Sequence, residues 1–164
     1  MLINSWSGDC AEGVPHGYGR CEFRSGAIYV GHMEYGLMHG KGQISLPDGF
    51  TYKGDFKKNS LEGHGIITFP DNSEYEGQVV DGYRHGQGHY SSGSITYTGG
   101  WSWGKRHGNG IMRYSSSSFY DGAFSNGLEH GYGVRQWESM DLYKGEYLNG
   151  KRHGKGISTV CDEL

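Results

Sequence analysis

Nine histidines, three cysteines and a few basic pairs are the residues of this 164-residue chain best suited to do chemistry. Histidine grouped with cysteine or carboxylate would make a metal centre, and histidine beside serine or cysteine a nucleophilic one. The spacing supports neither. His16, His39, His85, His107, His130 and His153 share one phase of a period of about 23 residues. On stacked hairpins they would stand about 10 Å apart, whereas ligand bonds are about 2 Å. A repeated contact at a turn or strand start is expected instead, and no metal. His32, His64 and His89 have no cysteine or carboxylate at ligand spacing. Cys10, Cys21 and Cys161 are odd in number and form no CxxC, which suits reduced, small hydrophobic residues of a cytosolic compartment. GxSxG, P-loop, HExxH and Rossmann signatures are all missing, so neither an enzyme nor a cofactor is expected. The run Ser115 to Ser118 reads as a hairpin turn.

The period that spaces the histidines organises everything else. Counting from an aromatic at position 0, units begin at Trp6, Tyr29, Tyr52, Tyr75, Tyr97, Tyr120 and Tyr143, separated by 23, 23, 23, 22, 23 and 23 residues. Positions 2, 11 and 13 are glycine in every unit, and position 7 is glycine in all but the third, which has Asn59. Asparagine is the usual substitute where a turn needs positive φ. Gly100 alone fits no column. A fixed period of this length signals a repeat architecture rather than an ordinary two-layer domain.

Within a unit the apolar spacing is two. Tyr52, Gly54 and Phe56 share one face of a strand while Lys53, Asp55 and Lys57 take the other; after the turn, positions 11, 13, 15 and 17 return to the apolar face. Each unit therefore reads as a β-hairpin with a ring-over-glycine face and a polar face. The expected fold is all-β: an elongated, single-layer antiparallel meander of seven hairpins, one continuous array over residues 1–164. At ~4.8 Å per strand and two strands per unit the ribbon would be about 65 Å long. The first unit is an atypical terminal copy, with Trp6 and Cys10 at positions 0 and 4. The fourth is a residue short near Ser91 to Gly93.

Composition agrees with an unusual core. Hydrophobic residues make up 34%, glycines number 31, and the net charge is −3, which argues against bulk attraction to nucleic acid or anionic lipid. The start MLINSWSGDC lacks a basic, apolar leader, and no run approaches a membrane span of about 20 residues, so a soluble, unsecreted protein is expected. The CDEL ending looks like an endoplasmic-reticulum retention tail, but without a leader that reading fails. Leu164 falls at position 21 of the seventh unit, so the chain is expected to stop inside a repeat.

The pattern Tyr-x-Gly-x-aromatic, then Gly, then Gly-x-Gly, as in YKGEYLNGKRHGKG from Tyr143 to Gly156, resembles the MORN (membrane occupation and recognition nexus) family over residues 6–164. Stretches such as MEYGLMHGKG and YEGQVVDGYRHGQG look like those of radial spoke head proteins. The resemblance implies a cytoskeletal scaffold, with the cilium or flagellar axoneme as its setting. It also implies a competing role in phosphoinositide binding, for which the basic turn residues Lys105, Arg106, Lys151 and Arg152 are the candidates.

The residues themselves point to a surface. No amphipathic helix is present to cover the ring face, so a groove walled by Tyr52, Phe56, Tyr75, Tyr97, Trp101, Tyr120, Phe124, Tyr143 and Tyr147 is expected to stay partly exposed and to bind a segment of another protein. Open edge strands would also allow self-association.

Overall fold

A computed structural model describes residues 2–161. All its regular elements are strands, and the chain divides into two compact units at Tyr83/Arg84. The first holds β1 (Ile3–Ala11), β2 (Val14–Phe23), β3 (Ile28–Glu34), β4 (Leu37–Ser45), β5 (Thr51–Lys57), β6 (Ser60–Thr68) and β7 (Glu74–Val80). The second holds β8 (Tyr83–Ser92), β9 (Ile95–Ser102), β10 (Lys105–Arg113), β11 (Phe119–Ser125), β12 (Leu128–Gln136), β13 (Leu142–Leu148) and β14 (Lys151–Thr159). Within each unit every strand pairs antiparallel with the next, giving the expected single-layer meander. Residues 162–164 of the CDEL ending lie outside the described range.

Each hairpin turns on two residues of positive φ, as in Asn126 (52°) with Gly127 (88°) and Lys58 (48°) with Asn59 (71°). That matches the twist of the flanking strands. Position 7 was legible as such a site; position 6 was not, since Tyr35 and Trp103 occupy it with φ of 46° and 48°. These rings rest on the position-10 histidine of the preceding repeat, His16 against Tyr35 at 4.9 Å and His85 against Trp103 at 5.4 Å. The turns are also tied to one another. The position-7 amide donates to the position-9 carbonyl one repeat earlier, as in Gly127 to Arg106 (2.9 Å) and Asn59 to Met38 (3.0 Å).

Glycines at positions 2 and 13 face each other in register across consecutive strands, as in Gly42 with Gly54 and Gly54 with Gly65, or Gly122 with Gly133 and Gly133 with Gly145. The ring at position 0 lies flat over its own pair. A Cβ at Gly54 would meet the Tyr52 hydroxyl at 2.6 Å and the Gly65 Cα at 2.7 Å. Position 11 corrects the expected face. Its glycine has positive φ, and a Cβ there would point at the polar-face position 3, as Gly63 does towards Asp55. The ladder slips near the same place, between Gly54 and Asp55 for example. Position 11 therefore belongs to a bulge, not to the floor.

Candidate functional site

The bulge explains why position 0 carries a donor as well as a ring. The tyrosine hydroxyl donates to the position-3 carbonyl: Tyr29 to His32 (2.7 Å), Tyr52 to Asp55 (3.0 Å), Tyr75 to Gln78 (2.7 Å), Tyr97 to Gly100 (2.9 Å), Tyr120 to Ala123 (3.0 Å) and Tyr143 to Glu146 (3.2 Å). Trp6 does the same through Nε1, which donates to the Asp9 carbonyl at 2.9 Å. The terminal copy is thus regular in its bonding. Gly100 also finds its reason here, because a Cβ at that position would collide with the carbonyl oxygen of His107.

Rings at position 4 fit edge-on between successive tyrosines. Phe56 touches Tyr29 and Tyr52, Phe124 touches Tyr97 and Tyr120, and Tyr147 touches Tyr120 and Tyr143, with centroids 5.1–5.4 Å apart. Trp101 stands at 5.2 Å from Tyr97. Each unit so builds a herringbone of rings on a glycine floor, an arrangement favoured by the ring quadrupoles.

Tight packing overturns the expected exposure of these rings. Tyr52, Tyr75, Tyr97 and Tyr120 have no accessible surface, and Phe56, Trp101, Phe124, Tyr143 and Tyr147 keep 6% or less. They form the core itself. With glycine beneath and a ring on either side, a single layer can bury its aromatics without a second sheet or helix.

Burial raises the pKa of five of the ring-face tyrosines, Tyr29, Tyr52, Tyr97, Tyr120 and Tyr147. Desolvation pushes Tyr52 and Tyr97 up to about 12, with Arg106 pulling the other way at Tyr97. Tyr147 also reaches about 12 through burial, then Glu129 and Tyr143, against the pull of Arg135 and Arg152. Tyr29 and Tyr120 are raised further, chiefly by burial. An unfolded tyrosine ionises near pH 10. A folded-state pKa above that value means that stability is intact below about pH 10 and falls as pH rises towards 12. The phenolate absorbance of these buried rings should accordingly appear cooperatively in that window, together with loss of the β circular-dichroism signal. Ionisation of the whole set of tyrosines near pH 10 with strands intact would contradict this burial.

The charged chemistry lies beside the rings, at position 9. In the first unit that position holds Pro15, Met38 and Leu61; in the second it holds Arg84, Arg106, Glu129 and Arg152. The second unit adds Arg135 at position 15, where other repeats have Cys21, Ile44, Ile67 or Met112. Guanidinium groups stack on rings: Arg84 on Trp101 (4.2 Å), Arg106 on Phe124 (5.4 Å), Arg135 on Tyr114 (3.9 Å) and Arg152 on Tyr143 (5.4 Å). Arg106 also donates to the Gly127 carbonyl at 2.8 Å. Glu129 accepts from Arg135 (3.2 Å) and from the Tyr114 hydroxyl (3.1 Å).

Arg106, Tyr114, Glu129, Arg135 and Arg152 line an open cavity of about 570 Å³, floored by Phe124 and Tyr147 and rimmed by Leu128, Trp137 and Lys151. A smaller one of about 260 Å³ lies between Arg84, Tyr90, Trp101, Lys105 and Arg106. All four basic residues expected to contact lipid thus border a cleft. They are not in the turns themselves, which are formed at 103–104 and 149–150; they open strands β10 and β14. Sequence reasoning missed Arg84, Arg135 and Tyr114. The signal was available, since position 9 changes from apolar to charged between the halves of the chain.

No group of three or more metal-ligating side chains occurs among the described residues. Cys21 is buried and desolvation raises its thiol pKa, while Cys10 and Cys161 are exposed; none is disulfide-bonded. Only Cys21 packs into the core as a small hydrophobic residue.

The family model for the MORN repeat matches residues 7–28, 29–51, 52–74, 75–94, 97–119, 120–139 and 143–159. Those limits reproduce the repeat phase read from the tyrosines, with the first match beginning one residue after Trp6. A comparison with curated proteins found no match.

Proposed function

Because the chain belongs to the MORN repeat family, whose members are commonly non-catalytic modules for protein or membrane interaction, we propose that it is a scaffold binding a segment of another protein beside the aromatic herringbone of its second unit. The cytoskeleton, and the ciliary or flagellar axoneme in particular, is the setting this reading assigns to it. The observation that carries the proposal is the cavity of about 570 Å³, which combines an aromatic floor with arginines stacked above it. Tyrosine, tryptophan and arginine are the residues most enriched at binding hot spots.

The rings contribute as a rigid floor, and the charged and half-buried residues around them supply the contact surface. A photocrosslinking amino acid at Trp137, on the cleft rim, is expected to capture axonemal proteins from an extract of ciliated cells. The same group at Tyr132, which is 63% exposed on the opposite face, should not. Crosslinking from Tyr132 alone would place binding on the polar face and sink the proposal. Capture only of proteins outside the cytoskeleton would remove the axonemal setting. Attachment of the chain to anionic vesicles, fading as ionic strength rises, with no protein captured at Trp137, would favour the membrane reading through Lys105, Arg106, Lys151 and Arg152.

A further inference from the structure

One polar atom in the second unit's cleft is left over. Tyr147 is 5% exposed, lines the cavity, and its buried hydroxyl has no hydrogen-bond partner among the described residues. Other position-4 side chains, such as Phe56, Trp101 and Phe124, have no hydroxyl, so Tyr147 brings a donor to a place where the repeat does not require one. A buried, unpaired hydroxyl is costly. It is tolerated best where a guest completes it.

The charges around that hydroxyl indicate what the guest carries. Four cations, Arg106, Arg135, Lys151 and Arg152, line the cavity against one carboxylate, Glu129, in a chain of net charge −3. Glu129 is already compensated by Arg135 and Tyr114. Arg152 is exposed, stacks on Tyr143 and Trp137, and makes no ion pair among the described residues. The cleft is therefore electropositive, with an apolar rim at Leu128 and Trp137.

We propose that this cleft takes an acidic, extended segment of a partner protein, with carboxylates on Arg106 and Arg152 and the Tyr147 hydroxyl donating to the segment. The inference rests on the protein-binding reading above and specifies the chemistry of its partner. Position-9 side chains run Arg106, Glu129, Arg152 along three successive repeats. The carboxylate between the arginines separates the cations, whereas a phosphate headgroup would need them convergent. Alternating sign suits a peptide, which offers backbone N–H donors to Glu129 as well as carboxylates to the arginines. Successive repeats are ~10 Å apart, or about three residues of extended chain. The acidic residues of the guest should thus recur about six positions apart, with apolar side chains between them for the rim.

The test uses the full chain, a displayed library of random peptides about nine residues long, and anionic vesicles as a separate probe. Enriched peptides are expected to carry two acids at the stated pitch. Arg152→Glu should weaken their binding about tenfold or more. Tyr147→Phe should weaken it several-fold while leaving the melting temperature unchanged or higher, because the free protein loses only an unpaired polar atom. A purely structural role for Tyr147 would show the opposite pattern.

Enrichment of basic or neutral peptides, or of none, would overturn the proposal. So would acidic peptides that bind both variants as tightly as the parent. If vesicles bind through Arg152 while no peptide does, the anion is a lipid phosphate and the proposal fails. Crosslinking at Trp137 to a partner whose binding ignores both variants would defeat the acidic-segment inference but leave the protein-binding reading standing. Crosslinking at Tyr132 alone would defeat both.

Discussion

Gly122→Val is expected to destabilise the second unit by about 3 kcal/mol or more, an overpacking effect at the upper end of the usual range. A Cβ at Gly122 would lie 2.6 Å from the Gly133 Cα, 2.7 Å from the Tyr120 hydroxyl and 2.8 Å from its ring. The backbone contact is the decisive one. A ring can tilt away, but Gly133 is held in register between Gly122 and Gly145 and cannot retreat without breaking the ladder. Tilting the ring would also release the Ala123 carbonyl from the Tyr120 hydroxyl. Urea denaturation followed by circular dichroism measures the loss. Asp121→Val, one residue away on the exposed polar face, is the control and should change stability by no more than about 0.5 kcal/mol. A Gly122→Val midpoint equal to that of the control would show that the ring does not lie on the glycine floor.

Phe124→Ala is expected to cost about 3–5 kcal/mol, the usual range for removing a buried aromatic. Phe124 is 3% exposed and makes edge-on contacts at 5.1 Å with both Tyr97 and Tyr120, so its loss opens a cavity between two repeats. Arg106 loses the ring on which it stacks. The consequence reaches function as well. A substitution that removes Trp101 and Phe124 together would abolish binding by unfolding the site, whatever the groove does. Binding must therefore be probed at Arg152 and at the Tyr147 hydroxyl, which can be changed with the ring contacts kept. Phe124→Leu, which refills part of the volume, should recover part of the stability in a thermal melt. No recovery would mean that ring geometry, not volume, sets the cost.

How much was legible depends on how local each constraint is. The repeat phase, the hairpin and the turn at position 7 were legible because glycine columns and period-two alternation act within one unit. Position 6 was not, because residues as unlike as Glu12, Tyr35, Lys58, Asp81 and Trp103 all adopt positive φ there. Their strain is held by the turn and by contacts such as that of Trp103 with His85, which only the neighbouring repeat supplies. The role of position 11 was misread because a bulge reverses the face that simple alternation assigns. The rings were expected to be half-exposed because counting layers says nothing of how closely an edge-on ring can approach a glycine pair.

The amino-acid sequence by itself determined that this chain is an array of β-hairpins with aromatics over glycine, since side-chain size and turn chemistry are fixed residue by residue. Only the tertiary structure decided which of those aromatics see solvent. Adjacent repeats close over the rings, and beside them the partly buried Arg106 and Glu129 and the exposed Arg152 stand where the first unit has Pro15, the buried Met38 and Leu61. Burial of a ring in a repeat protein is a property of two neighbours, and the sequence of one unit does not contain it.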